Sequence, residues 1–205
     1  MTRLAVAALA TLLLAGCTVV PASTPTASGT SGSPVASVSP SVSSSADLQA
    51  MRKEAGIADC PSSAAPVVSG GLPDVELSCL GGGSTVRLAG LRGPLLVNFW
   101  AQWCYPCRAE SAHLAAFAST SKSVRVIGVD FADPDPALAI EFAQVTSMTY
   151  AHVADPRALT KTGLAISGIP ASFLVDAHGV VVARHFGAFG SLESVQSWVR
   201  DGLGS

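Results

Sequence analysis

The chain has 205 residues, of which 49% are hydrophobic and 13% are charged, and its formal net charge is −2. This balance, without any basic cluster, excludes the charge pattern of a nucleic-acid-binding protein. One apolar run near the start is too short to span a bilayer, and no other approaches twenty residues, which excludes a protein with several membrane spans.

Residues 1–16 have the organisation of a secretory signal peptide, with Arg3 followed by an apolar run from Leu4 to Ala15. The run ends in Leu14-Ala15-Gly16-Cys17, which resembles the bacterial lipobox. That resemblance implies that Cys17 is acylated and anchors the chain at the extracytoplasmic face of the cell membrane. A generic secretory signal with an incidental cysteine is the alternative, and both interpretations predict export.

Residues 17–45 are predicted to form a disordered, lipid-anchored tether. From Thr18 to Ser45 there is no charged or aromatic residue, and Ser, Thr, Pro, Ala, Gly and Val dominate. Such a segment buries too little apolar surface to offset the entropy of ordering it. Residues 46–205 are of a length typical of one domain with a packed core, and residues 46–71 are predicted to be its N-terminal extension.

Apolar periodicity and turn residues predict strands that alternate with helices within this domain. The predicted strands are Val75–Cys79, Thr85–Leu88, Leu95–Trp100, Val124–Asp130, a strand or turn at Tyr150–Val153, Ser172–Val175 and Val180–Phe186. Five helices are predicted. The first is capped by Ser45 and stops at Gly56, the second begins near Cys104, and the third is capped by Asp133 or Asp135 and carries the apolar residues Leu138, Phe142 and Val145. The fourth runs from Pro156 to Thr162 and the fifth from Ser191 to Gly202.

Cys104 and Cys107 are spaced C-x-x-C between a predicted strand and a predicted helix. In this setting the pair indicates a redox centre rather than half of a zinc site. A cysteine in the first turn of a helix faces unpaired backbone N–H groups and the positive end of the helix dipole, which lower the pKa of its thiol. We therefore predict that Cys104 is the nucleophile and Cys107 the resolving thiol. Pro106 suits a first turn, where its missing N–H has no helical partner.

The segment Phe99-Trp-Ala-Gln-Trp-Cys-Tyr-Pro-Cys107 resembles the active-site segment of the thioredoxin superfamily. The order of elements over nearly all of residues 72–200 resembles the TlpA/ResA/DsbE-like branch of that superfamily. The resemblance implies an α/β, thioredoxin-like fold: a central mixed β-sheet flanked by helices, with an N-terminal β-hairpin extension and an inserted helical segment. It also implies an extracytoplasmic thiol–disulfide oxidoreductase, in its lipoprotein form, that needs no cofactor.

The Ile169-Pro170 pair precedes a predicted strand, as the cis-proline of the superfamily does. The resemblance implies a cis bond beside the two cysteines, where the backbone pairs with an extended substrate. Trp103, Tyr105 and Pro106 adjoin the cysteines and are predicted to contribute to substrate binding; for Trp103 the alternative is a core or rim aromatic residue.

Glu110 shares a predicted helix face with Cys107, Leu114 and Phe117. A glutamate at this offset influences thiol titration in the families that the chain resembles, which implies that Glu110 handles the proton of Cys107. Asn98 strengthens this prediction, because thioredoxins commonly have an ionisable aspartate there and asparagine cannot ionise. The alternative is a solvated charge near the start of a helix.

Cys60 and Cys79 remain after Cys17 and the C-x-x-C pair are assigned. In an exported protein they are predicted to form a structural disulfide. A second redox pair that relays electrons is the alternative.

The resemblance implies a reductant of protein disulfides, for example of apocytochrome c during cytochrome c maturation, recharged by a membrane electron carrier of the CcdA/DsbD kind. An oxidant that introduces disulfides into exported proteins is the alternative. A copper carrier resembling the Sco proteins is disfavoured, because those proteins separate their cysteines by three residues and this chain by two. We expect a monomer. We also expect no metal site, because none of the four histidines has metal-ligand spacing to the cysteines; they are His113, His152, His178 and His185.

Overall fold

A computed structural model describes residues 44–204, which fold around one seven-stranded sheet. Its strands are β1 (Glu76–Cys79), β2 (Thr85–Arg87), β3 (Leu95–Trp100), β4 (Arg125–Phe131), β5 (Ala151–Asp155), β6 (Ala171–Val175) and β7 (Val181–Phe186). Its α-helices are α1 (Ser45–Glu54), α2 (Tyr105–Thr120), α3 (Pro136–Val145), α4 (Lys161–Leu164) and α5 (Leu192–Leu203). The predicted signal peptide, Cys17 and the tether up to residue 43 lie outside the described residues. No helix within residues 44–204 has the length and apolar character needed to cross a bilayer.

The sheet is mixed, with strand order β2-β1-β5-β4-β3-β6-β7. Strands β3, β4 and β5 are parallel to one another, whereas every other neighbouring pair is antiparallel. The hairpin β1–β2 extends the sheet at one edge, and α3 forms the connection between the parallel strands β4 and β5. This arrangement confirms the predicted α/β class with its N-terminal hairpin and inserted helix.

The central strand β3 is buried on both faces, and its side chains alternate between two cores. Leu96 and Trp100 contribute to the core that also contains residues of α2, α3 and α5 and is covered by α1. Leu95, Val97 and Phe99 contribute to the core on the other face, which α4 and a 3-10 turn at Leu88–Gly90 help to cover. Residues of even number on β3 therefore point towards α2.

His152 is a fully buried residue of strand β5. Its Nδ1 accepts a hydrogen bond of 3.2 Å from Trp100 Nε1, and its Nε2 lies 3.0 Å from the carbonyl oxygen of Met148. Burial lowers the pKa of His152 to about 4, so the ring is neutral. Gly128 permits this contact, because a Cβ there would collide with both the His152 and the Trp100 rings.

The start of α1 and the end of α5 were predicted wrongly. Helix α1 is capped by Ser44 rather than Ser45, because the Ser44 hydroxyl and the Asp47 carboxylate form a reciprocal capping box. Helix α5 continues through Gly202 to Leu203 and is capped by Gly204, which adopts the left-handed conformation with φ of +67°. Gly202 instead allows close packing, since a Cβ there would press against side chains of β6 and β7.

The inward face of α3 was also predicted wrongly in part. Phe142 is buried, but Leu138 and Val145 are 45% and 78% exposed. The helix is apolar around most of its circumference, so periodicity alone could not select the packed face, which centres on Ala139, Ile140 and Ala143. Asp135, and not Asp133, caps this helix.

Helix α4 begins at Lys161, five residues later than the predicted start at Pro156. The preceding residues form a turn, because the Asp155 carboxylate accepts hydrogen bonds from the N–H groups of Leu159 and Thr160. Ala158 has a φ of +52° within this turn, which is incompatible with a right-handed helix.

A disulfide joins Cys60 to Cys79, across a sequence separation of 19 residues. It fastens the segment that follows α1 to the end of β1. On the chain-entropy model a loop of this size contributes roughly 3 kcal/mol to the free energy of unfolding.

Candidate active site

The Cys104–Cys107 disulfide lies where the central strand gives way to helix α2. Cys104 is the N-cap of α2, and its Sγ accepts a hydrogen bond of 3.2 Å from the Cys107 N–H. The Cys104 side chain therefore occupies the position of a capping oxygen, facing N–H groups that have no helical partner. This contact and the helix dipole both favour a thiolate at Cys104 once the disulfide is reduced.

A cis peptide bond joins Ile169 to Pro170 immediately before β6. The carbonyl oxygen of Ile169 lies 3.7 Å from Cys104 Sγ, so this turn directly borders the disulfide. Cys104 is 4% exposed and Cys107 is 2% exposed, which leaves slightly more of Cys104 open to solvent. The structure thus brings the predicted proline turn and the cysteines together.

Exposed aromatic side chains flank the disulfide. Trp103 is 52% exposed and Tyr105 is 84% exposed, and Pro106 is exposed beside them. Trp100 is by contrast a core residue at 1% exposure. The rim around Cys104 therefore offers apolar surface to an incoming chain.

Glu110 is 1% exposed and lies one turn beyond Cys107 on the buried face of α2. Its Oε1 accepts a hydrogen bond of 2.8 Å from Asn98 Nδ2, and its Oε2 accepts one of 3.0 Å from the Phe189 N–H. Burial outweighs these two hydrogen bonds and raises the pKa of Glu110 to about 7. Its carboxyl group can therefore hold or release a proton near neutral pH.

Strand alternation explains why Glu110 meets Asn98. As an even-numbered residue of β3, Asn98 points towards α2, and its register partner on the antiparallel β6 is Ser172. Asn98 Nδ2 also donates to Ser172 Oγ at 3.1 Å. The amide thus links the carboxylate to the strand that follows the cis-proline.

The loop before Cys104 is held at Gln102 from both sides. The Gln102 N–H donates to Asp133 Oδ2 at 3.1 Å, and the Gln102 carbonyl oxygen accepts from Arg108 Nη1 at 3.3 Å. Asp133 is 2% exposed. Asp133 was predicted only as a possible helix cap, and its contact with the loop before Cys104 was not predicted. The position of Asp133 just after β4 could have indicated this contact. The carboxyl ends of the neighbouring parallel strands β3 and β4 lie at the same edge of the sheet, so residues that follow the two strands lie close together.

Within residues 44–204 no group of three or more His, Cys, Asp or Glu side chains is placed to hold a metal ion. Phe189 was not predicted as a site residue, yet its N–H donates to the Glu110 carboxylate from 79 residues further along the chain. No local pattern could have indicated this backbone contact.

A mixed sheet of this strand order, a C-x-x-C disulfide at the start of the helix after the central strand and a cis-proline beside it together define a thioredoxin-like protein. The AhpC/TSA family model matches residues 68–184, which is more than half of the chain. The chain belongs to the AhpC/TSA family.

The curated proteins to which the chain is similar include thiol:disulfide interchange proteins of the DsbE kind. The chain is 37% identical over 95 residues to a thiol:disulfide interchange protein DsbE homolog of Paracoccus denitrificans, covering 46% of this chain and 51% of the relative. It spans about half the length of the first curated relatives that it matches. Among solved structures, MTB DsbF matches with a TM-score of 0.57 and 26% identity, over 64% of this chain and 98% of that one. A secreted Mycobacterium tuberculosis disulfide oxidoreductase homologous to E. coli DsbE matches in fold, with a TM-score of 0.56, 20% identity and coverage of 62% and 96%.

Proposed function

We propose that this protein is an extracytoplasmic thiol–disulfide oxidoreductase that acts on disulfides of other proteins. The observation that carries the proposal is the Cys104–Cys107 disulfide at the N-terminus of α2, with the Cys107 N–H on Cys104 Sγ. The similarity to DsbE proteins supports the same reaction class.

In the reductive direction, the Cys104 thiolate attacks one sulfur of a substrate disulfide. A mixed disulfide forms between Cys104 and the substrate, and the substrate's other sulfur leaves as a thiolate. Trp103 and Tyr105 offer apolar surface beside this mixed disulfide, and the turn at Ile169-Pro170 offers its backbone to an extended substrate.

The Cys107 thiolate then attacks Cys104 Sγ and expels the second substrate sulfur. The reaction closes the Cys104–Cys107 disulfide, and two electrons have passed to the substrate. Cys107 must lose its proton before this step. Glu110 is the acidic group one turn further along the same buried face, and its pKa of about 7 suits it to take up that proton.

Changing Glu110 to Gln is expected to alter the pH profile of Cys107. Above about pH 7 the ionised Glu110 opposes a second negative charge nearby, so Glu110→Gln should lower the pKa of Cys107 by about one unit. The reduced variant should then be alkylated at Cys107 about ten-fold faster than wild type at pH 8, with a smaller difference at pH 6. Iodoacetamide labelling, with each cysteine resolved by mass spectrometry, measures both rates.

Glu141→Gln is the matched control, because Glu141 is exposed on α3 and carries the same charge. Its profile should follow that of wild type. Identical profiles for Glu110→Gln and wild type would assign Glu110 a purely structural role.

The proposed function includes attachment to the membrane and exchange with a membrane electron carrier. Acylation at Cys17 would hold the domain at the extracytoplasmic face, within reach of a membrane electron carrier of the CcdA/DsbD kind. Reduced apocytochrome c thiols would be the product of the proposed reaction in cytochrome c maturation. The lipobox-like residues before Cys17 and the DsbE similarity support this extension.

The equilibrium reduction potential of the Cys104–Cys107 couple tests the direction of electron flow. As a reductant, the full chain should give a value near that of thioredoxin, about −270 mV. A value of about −120 to −180 mV would instead support an oxidant that introduces disulfides into exported proteins. Failure of the reduced chain to exchange with a protein disulfide such as insulin would contradict the oxidoreductase function itself.

A further inference from the structure

The two sulfurs of the Cys60–Cys79 disulfide differ in accessibility. Cys60 lies in the segment after α1 and is partly exposed, whereas Cys79 ends β1 and is 1% exposed. Cys60, the more exposed of the two residues, is therefore the one that an incoming thiolate would attack. If this bond is exchanged, Cys79 must be the leaving group.

The side chain of Arg52 lies directly against that leaving group. Arg52 Nη1 donates to Cys79 Sγ at 2.7 Å, and Arg52 Nη2 pairs with Asp59 Oδ1 at 2.9 Å. The Arg52 side chain is only 13% exposed, so its charge acts on the sulfur with little screening by solvent. A cation in this position stabilises a thiolate and lowers the pKa of the Cys79 thiol.

Cys60 has the opposite surroundings. Its Sγ lies 3.2 Å from the carbonyl oxygen of His152, which can accept a hydrogen bond from a thiol but repels a thiolate. The reduced pair would therefore consist of a Cys79 thiolate beside Arg52 and a Cys60 thiol beside the carbonyl. This division of charge favours exchange, because a thiol of lower pKa leaves faster.

We propose that Cys60–Cys79 is a second redox-active disulfide, in which Cys60 is attacked and Arg52 stabilises Cys79 as the leaving thiolate. The reductant is a dithiol. One of its thiolates attacks Cys60 Sγ, the Cys60–Cys79 bond breaks, and the electron pair of that bond stays on Cys79. The second thiolate of the reductant then attacks the mixed disulfide and expels Cys60, which takes up a proton. Two electrons have moved, and the reductant has become a disulfide.

The sequence allows both disulfides to be followed in one sample with every cysteine in place. Trypsin releases Cys60 and Cys79 on the peptide 54–87 and the C-x-x-C pair on the peptide 93–108. The oxidised full chain is exposed to dithiothreitol without denaturant, quenched with N-ethylmaleimide at intervals and digested. In wild type we expect both peptides to gain two labels. Arg52→Gln should slow labelling of the peptide 54–87 by about ten-fold and leave the peptide 93–108 unchanged, which also shows that the variant is folded.

Two variants separate the charge of Arg52 from its ion pair. Arg52→Lys keeps a cation and should recover most of the wild-type rate. Asp59→Asn removes only the exposed partner, whose carboxylate is 92% exposed, and should stay within about two-fold of wild type. Glutathione offered as a monothiol probe should form an adduct at Cys60.

Labelling of the peptide 54–87 only in denaturant would overturn the proposal and leave a structural disulfide. An Arg52→Gln rate equal to wild type, or a glutathione adduct at Cys79, would contradict the assigned roles. None of these outcomes bears on the peptide 93–108, so the function proposed for the C-x-x-C pair is judged separately.

Discussion

Replacing Cys104 by serine is expected to lower the rate of protein-disulfide exchange by at least about a thousand-fold, as loss of a catalytic nucleophile generally does. The hydroxyl of serine does not ionise near neutral pH, so neither the helix dipole nor the Cys107 N–H can convert it into an effective nucleophile. The measurement is the rate at which the reduced chain reduces insulin disulfides.

The partner variant, Cys107→Ser, is expected to behave differently. Cys104 can still attack, but no thiolate remains to resolve the product, so a mixed disulfide with the substrate should accumulate. Non-reducing electrophoresis and mass spectrometry detect this adduct. Accumulation in Cys104→Ser instead, with rapid attack by Cys107, would reverse the assigned roles. A urea unfolding midpoint close to that of wild type in both variants is the control for folding.

The buried Asp130 is expected to make the free energy of unfolding strongly dependent on pH. This aspartate lies on β4 in register with Trp100, is 1% exposed, and its Oδ1 has no hydrogen-bond partner among the described residues. Burial first, and the nearby carboxylates of Asp133 and Asp135 next, raise its pKa from 3.8 to about 9. Asp130 is therefore protonated in the folded protein at neutral pH and ionised in the unfolded chain.

The sign of the pH dependence follows from this difference. Between about pH 4 and pH 9 the folded state binds one more proton than the unfolded state, so stability falls as the pH rises. Each pH unit in this window costs up to about 1.4 kcal/mol, which amounts to about 4 kcal/mol between pH 4 and pH 7. Glu110, with its pKa raised to about 7, adds a dependence of the same sign over a narrower window.

Asp130→Asn replaces the protonated acid by a neutral side chain of the same shape and should remove the Asp130 contribution. Urea unfolding at pH 4.5, 6 and 7.5 is expected to show the variant gaining on wild type as the pH rises. Asp201→Asn, at an exposed position of α5, removes an aspartate without changing a buried group. A difference between Asp130→Asn and wild type that stays constant with pH would show that Asp130 is ionised in the folded state.

Features set by local pattern could be predicted from the sequence. The bounds of β3 and the position of the C-x-x-C pair at the start of α2 were predicted correctly, as was the buried face of α2 that carries Cys107 and Glu110. Each depends on an uninterrupted apolar run or on a spacing of three or four residues, which constrains the backbone locally. Those features of the candidate site that depend only on residues close together in the sequence could therefore be predicted.

The features that could not be predicted depend on how helices and strands pack against one another. Leu138 and Val145 are exposed because the position of α3 on the sheet, and not its apolar periodicity, selects the buried face. Contacts near the two disulfides also join distant residues: the Phe189 N–H to Glu110, and Arg52 to Cys79. A spacing pattern carries no information about such pairs, because only the folded chain brings them together. The sequence determined that the C-x-x-C pair lies at the start of a helix, and the tertiary structure decided which charges and carbonyl groups surround the cysteines.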